Sequence, residues 1–227
     1  MRINKRLKSV ANFILEDSNV IDVGCDHALL CIYLTKNSSN IKCIASDAKE
    51  GPLNQARNNI KKYGLDDKIK VKLGDGISTI KDETDVIVIS GMGGITMVDI
   101  LTKYKDKLGN IKQLVLSPNS DFYHVRKSVN KLGFKVDKEE IVKDKDKFYL
   151  VISFVKGKKR YSKRQLLYGT NVIKYNKDLK SYYRDLFLTL FNQYSRIPEK
   201  NLRQRIPLRI KIRLLTNSLH KMNKKRI

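Results

Sequence analysis

The chain has 227 residues, 47 of them Lys or Arg and 23 Asp or Glu, for a formal net charge of +24. A hydrophobic content of 41% can build a core, which excludes a wholly disordered chain. No run approaches the roughly 18 apolar residues of a membrane span, and residues 1–20 lack the long apolar stretch of a signal peptide.

Over residues 1–156, short apolar runs alternate with helical patterns, the signature of βαβ units around a parallel sheet. Strands are expected at 20–24, 41–47, 69–73, 85–90, 113–117, 134–142 and 148–155, with helices near 27–36, 51–63, 95–108 and 121–132. Gly51-Pro52 opens the second helix, where the missing proline N–H does no harm, and Gly64 and Gly133 follow helical stretches as C-caps do. The last two strands have no helix between them and should be antiparallel neighbours. Five parallel-type strands followed by such a pair match the strand count of a class I methyltransferase sheet, although many doubly wound folds share the first part.

After Gly157 the chain turns helical and the charge changes. Residues 1–156 carry 27 Lys+Arg against 20 Asp+Glu, whereas residues 157–227 carry 20 against 3 (Asp178, Asp185 and Glu199), leaving net charges of +7 and +17. One apolar stripe runs through Val172, Tyr175, Leu179, Tyr182, Leu186, Leu190 and Tyr194. A second runs through Leu202, Ile206, Ile210 and Leu214, then Leu219 and Met222. A break at 195–198 makes an antiparallel helical hairpin, and Pro207 either bends the second helix or starts it. A basic block of this kind attracts polyanions, nucleic acid first and an anionic membrane surface second.

Five short motifs sit where strands should end. Asp22-Val-Gly24-Cys-Asp26-His27 follows the first strand; the glycine allows close backbone approach and the next helix offers free N–H groups. The dinucleotide fingerprint is absent, and Asp26 would repel a pyrophosphate while suiting the cationic S-adenosylmethionine. Asp26 could equally cap the next helix. Asp47 ends the second strand, where an acid can accept from ribose hydroxyls. Asp75, in Gly74-Asp75-Gly76, could accept from an adenine amino group or belong to an ordinary turn. Ser90-Gly91-Met92-Gly93-Gly94 leaves room for a flat ligand against bare backbone, or forms a flexible turn. Asn119 can meet an adenine edge with its paired donor and acceptor, or cap the following helix.

The three histidines, His27, His124 and His220, are scattered, so no metal site is expected. Cys25, Cys31 and Cys43 form no CxxC pair and look like small core residues, and a soluble, reduced, cytoplasmic protein is the expectation.

Taken together, DVGCDHALL (22–30), SDAKEGPL (46–53), GDG (74–76), SGMGG (90–94) and SPN (117–119) resemble the bacterial tRNA (adenine-22-N1)-methyltransferases, and Lys5-Arg6-Leu7 matches an early Arg-Leu of that family. The resemblance implies a class I, Rossmann-like methyltransferase domain over residues 1–156, with a seven-stranded mostly parallel sheet. It also implies a basic, coiled-coil-like hairpin over 157–227 that binds tRNA. S-adenosyl-L-methionine would be the cofactor, tRNA the partner and a monomer the active form. Asp22, Gly24, Asp26, His27, Asp47, Asp75, Gly76, Ser90 and Gly91 would hold the cofactor. Asp26, His27, Gly91, Gly93, Gly94 and Asn119 would serve the target adenine. Two rival readings are a non-catalytic RNA-binding protein with a methyltransferase-like domain and an N6-adenine methyltransferase. The latter is weakened because SGMGG stands where such enzymes resemble [DN]PP[YF].

Overall fold

A computed structural model describes residues 1, 3–170 and 173–224, the last four as backbone. Its elements are α1 (Lys5–Ala11), β1 (Asn19–Val23), α2 (Leu29–Asn37), β2 (Lys42–Asp47), α3 (Glu50–Lys62), β3 (Ile69–Leu73), β4 (Val86–Ser90), α4 (Gly94–Lys103), β5 (Gln113–Ser117), α5 (Phe122–Lys131), β6 (Phe134–Asp144), β7 (Lys147–Lys156), α6 (Lys163–Tyr168), α7 (Lys177–Ser195) and α8 (Leu202–Lys224). Every expected strand forms within about two residues of its predicted ends. The expected helix 95–108 divides into α4 and a short 3-10 turn, Lys105–Leu108, because Tyr104 leaves the α conformation between them.

One seven-stranded sheet has the order β3-β2-β1-β4-β5-β7-β6. Five strands pair in parallel, and β7 lies antiparallel to both β5 and β6. Strands β1, β4 and β5 are buried on both faces and read as continuous Val, Ile and Leu runs, as central parallel strands do. Chain direction across the sheet reverses between β1 and β4. That switch opens a crevice beyond their carboxyl ends, the place where such sheets bind ligands. This is the class I methyltransferase fold.

Pro52 sits in the first turn of α3, and Gly64 (φ 61°) takes the left-handed conformation just beyond its end. Two helices lack a counterpart among the expected ones. Helix α1 is capped by the Asn4 side chain accepting from Leu7 N–H, and α6 by a reciprocal Ser162–Gln165 box. Both are too short for a clear apolar period.

The C-terminal segment does not hang free of the sheet. Tyr168, Leu179, Tyr183, Leu190 and Leu215 join the same apolar core as β4, β5 and β6. At that junction the Arg126 guanidinium donates twice to Glu139 Oε2 (2.6 and 2.9 Å) and once to the Leu166 carbonyl (3.0 Å). Glu139 Oε1 accepts from Thr170 N–H at 2.9 Å. The side chains of this pair are 2% and 0% exposed. Buried charges persist only when hydrogen-bonded this fully. The Tyr183 hydroxyl donates to the Tyr168 carbonyl beside it.

Helices α7 and α8 form the expected hairpin. In α7 the stripe behaves as read from Leu179 on, with Leu179 and Leu190 buried and Tyr182, Leu186 and Tyr194 half-buried, but Tyr175 precedes the helix and is exposed, which corrects its place in the stripe; Val172 lies outside the described residues, as does the Met222 side chain. In α8 the inward face is Leu208, Ile212 and Leu215, together with Leu214 and Leu219 of the expected stripe. Leu202, Ile206 and Ile210 are exposed, so the first half of the expected second stripe is corrected, while Leu214 and Leu219 pack against the core as expected. Helix α8 begins at Leu202 and continues through Pro207, which removes the reading that it starts at the proline. Among the described residues, no helix is long and apolar enough to cross a membrane.

Candidate active site

A cavity of about 360 Å³ lies at the crevice beyond β1, β2 and β4. Its walls bring together Asp22, Gly24, Asp26, His27, Asp47, Ser90 and Gly91, as well as Arg6 and Met92.

Asp22 precedes the last residue of β1 and is 5% exposed. Burial pushes its carboxyl up to about 7; the Arg6 guanidinium works against that rise and Asp47 adds to it. The loop from Gly24 to Ala28 puts Gly24 (φ 71°), Asp26 (φ 48°) and Ala28 (φ 55°) in the left-handed region. Three such residues in five, two of them not glycine, mark backbone held against its preference, a feature common at binding sites. At Gly24 the left-handed backbone is what favours glycine, since a Cβ there would meet only the flexible end of Met92, whose Cε lies 2.3 Å away. Asp26 is exposed, with Oδ2 3.5 Å from His27 Nε2. It does not cap α2, whose N-cap is Ala28 with no side-chain bond, so the capping reading is corrected. Asn59 holds this loop by donating to the His27 carbonyl at 3.0 Å.

Asp47, at the end of β2, accepts from Lys49 N–H at 3.0 Å through Oδ1. Across the crevice, Gly91 (φ 88°) donates its N–H to the Ser117 carbonyl. A Cβ there would come 3.2 Å from Arg6 Nη1, placing the guanidinium directly over bare backbone. The buried Ser90 Oγ and Arg6 Nε have no hydrogen-bond partner among the described residues. Two orphaned polar groups and three carboxylates (Asp22, Asp26 and Asp47) form a donor set that fits a cationic amino-acid ligand with a ribose. A phosphate group would meet those same carboxylates unfavourably.

The remaining expected residues stand outside the cavity wall. Asp75 gives its carboxylate to Lys103 Nζ (2.5 Å) and the Tyr104 hydroxyl (3.3 Å) at the end of α4, which holds it below the usual carboxylate range. Gly76 packs against Ile100. Gly93 is the N-cap of α4, with only Ser120 Oγ and Thr96 Oγ1 near it. Gly94 is buried, and a Cβ there would lie 2.5 Å from the Ser120 carbonyl. It is bare for helix packing, not for a flat ligand. Asn119 does not cap α5, whose N-cap is Asp121; its Nδ2 donates to the Gly91 carbonyl at 2.6 Å, leaving Oδ1 as its acceptor. Asn119 therefore ties two rim loops together.

Burial pushes the Cys25 thiol up to about 12, so it is packing and not a nucleophile. Arg6 is the site residue that spacing rules miss, because it arrives from the N-terminal helix rather than a strand end. The Asn4 cap and the Leu7, Val10, Ala11 spacing were the available signals. Among the described residues, no cluster of three His, Cys, Asp or Glu side chains could hold a metal ion.

Residues 3–152 match the family model of a methyltransferase domain. A Bacillus subtilis protein named tRNA (adenine(22)-N(1))-methyltransferase is 36% identical over 153 residues, which cover 67% of this chain and 64% of that protein. This chain thus aligns with slightly less than two thirds of that relative's length. The crystal structure of a Streptococcus pneumoniae protein, provisionally described as a tRNA (m1A22) methyltransferase, superposes with a TM-score of 0.91 at 32% identity, covering 96% of this chain and 100% of that one. A second structure of that protein, in complex with S-adenosyl-L-methionine, gives a TM-score of 0.85 at 30% identity, with coverages of 96% and 100%.

Proposed function

The chain belongs to the bacterial tRNA (adenine-22-N1)-methyltransferase family, and from that premise we propose that it methylates N1 of adenosine 22 in tRNA, using S-adenosyl-L-methionine. The observation that carries this reading is the crevice at the β1/β4 switch, walled by three carboxylates and bare glycine backbone, in a chain that also carries a strongly basic hairpin. A non-catalytic RNA-binding role would leave that carboxylate-lined cavity without a purpose.

The cofactor supplies an electrophilic methyl group on a sulfonium. Asp47 would accept from its ribose hydroxyls, while Asp22, Arg6 and Ser90 would meet its charged amino-acid end, with Gly24 and Gly91 giving backbone access. N1 of neutral adenine already carries a lone pair, so no base has to remove a proton. The protein's task is to aim that nitrogen and to exclude water. The product base is cationic, and Asp26, exposed at the cavity mouth, is the carboxylate available to stabilise the charge as it develops. His27 would orient the base or the cofactor's methionine end. Asn119 Oδ1 and the backbone at Gly91 and Gly93 would border the ring. N1 lies on the pairing edge, so the base must leave its stack first.

Residues 1–156 act as the methyltransferase domain, and the hairpin of 157–227 holds tRNA through phosphates and shape. The enzyme works in the cytoplasm as a monomer and needs no metal. The test is incubation with S-adenosylmethionine and unmodified tRNA transcripts, with mass spectrometry of the nucleosides. We expect 1-methyladenosine that vanishes with an A22→G transcript. N6-methyladenosine under handling that prevents rearrangement, or cofactor binding without methylation across a full tRNA pool, would sink the proposal.

A further inference from the structure

The tip of the α7–α8 hairpin carries a second cavity, of about 430 Å³, far along the chain from the methyltransferase motifs. Phe191, Tyr194 and Arg205 are among the residues that line it. Two ring contacts stand at this end of the hairpin. The Phe187 and Phe191 rings lie nearly parallel (12°) with centroids 6.0 Å apart. The Arg205 guanidinium carbon sits 4.4 Å from the centre of the Tyr194 ring, and Arg205 Nη1 lies 3.9 Å from Glu199 Oε1. Phe191 remains 49% exposed despite its stacking partner. Large aromatic surface at a helix end, beside a planar cation, is costly to leave in water and serves no core.

The charge around this cavity selects the occupant. From 195 to 213 the chain carries Arg196, Lys200, Arg203, Arg205, Arg209, Lys211 and Arg213 against a single acid, Glu199. A second copy of the same tip would bring the same positive charge and be repelled. A membrane surface would be met by the exposed row Leu202, Ile206 and Ile210 of α8, whereas none of the three lines this cavity, whose wall holds two rings and a guanidinium. Flat π-faces among cations suit single-stranded nucleic acid, where bases stack on rings and phosphates pair with Lys and Arg.

We infer that the hairpin tip is a binding site for one unpaired, unstacked nucleobase of tRNA. The base stacks on Phe191 beside the Tyr194–Arg205 pair, and neighbouring phosphates pair with Arg196, Lys200 and Arg203. This inference rests on the proposed tRNA-binding role of the hairpin and adds the chemistry of the contact: a stacked loop base, not a read duplex. With the tip engaging a loop, the tRNA is held at a point separate from the target adenine.

The test is the affinity of unmodified tRNA transcript for the full chain, without methyl transfer, for Phe191→Leu, Phe191→Ala and Phe191→Trp. Stacking predicts that Leu and Ala both weaken binding about tenfold or more, while Trp preserves it, and that S-adenosylmethionine affinity stays unchanged in all three. 2-Aminopurine placed in the tRNA loops should be quenched at one position by the wild type and not by Phe191→Leu. Phe191→Leu binding as tightly as wild type would overturn the inference, because Leu keeps apolar bulk and loses only the ring. So would a dimer in sedimentation that Phe191→Ala dissolves, which would make the tip an interface between copies. A wild type that binds tRNA in this way without methylating adenosine 22 would instead sink the proposed activity alone.

Discussion

Asp22 shows how one buried carboxyl changes the behaviour of the site. Its carboxyl is raised from 3.8 to about 7 in the folded chain, so the folded state holds a proton that the unfolded state has already released. The cost to stability is therefore absent below about pH 4, grows through the window between 4 and 7, and is complete above 7. A rise of that size corresponds to on the order of 4 kcal/mol for a fully buried group. Urea unfolding of the ligand-free protein at pH 5 and pH 8 should show this loss, and Asp22→Asn should flatten it. An unchanged slope in Asp22→Asn would mean that Arg6 fully compensates the charge. Gly94 makes a complementary point at the same scale. Its place in a glycine-rich strand-to-helix turn reads as ligand space, yet the atom it makes room for is a carbonyl of its own chain. Glycine runs report close approach, and local sequence does not say to what.

Among the elements, the strands were the most legible. Buried parallel strands are continuous apolar runs bounded by turn residues, and the β6–β7 hairpin runs only one or two residues past the expected strand ends. Short helices were not legible: α1 and α6 have seven and six residues, too few to display a period, and stand on caps and packing. Helix α8 was half legible. Its existence followed from spacing, but it has two apolar rows and the facing one was decided by contact with α7. Pro207 lies within this helix with no N–H to give the carbonyl of Arg203, an exposed residue near the helix start. Pro207→Ala should therefore stabilise the hairpin, by about 1–3 kcal/mol, read as a raised unfolding midpoint. A lowered midpoint would show that the proline sets a bend the hairpin needs.

For the whole molecule, the change of composition at Gly157 and the course of the core do not coincide. Charge segregates at that residue, while apolar packing runs straight across it through Tyr168, Leu179 and Tyr183. The Arg126–Glu139 pair is the polar joint of this junction, with all its bonds made inside the protein. Glu139→Gln leaves a buried guanidinium without its counter-charge and should cost about 3–5 kcal/mol in urea unfolding, with sheet and hairpin lost together. Separate transitions would show that the hairpin folds as its own unit. A rigid joint matters for the proposed activity, since a tRNA held at the hairpin has to present one base to a crevice formed by other elements.

Length, strand count, the order of the glycine and acid motifs and the concentration of positive charge were all legible in the chain, because each follows from short-range rules: side-chain period, turn chemistry and simple counting. The approach of Arg6 to Gly91, the raised carboxyl of Asp22, the pairing of Asp75 with Lys103 and the exposed row on α8 were not. Each depends on which distant surfaces meet and which water is excluded when they do, and these are properties of the packed chain with no counterpart in any local stretch of it.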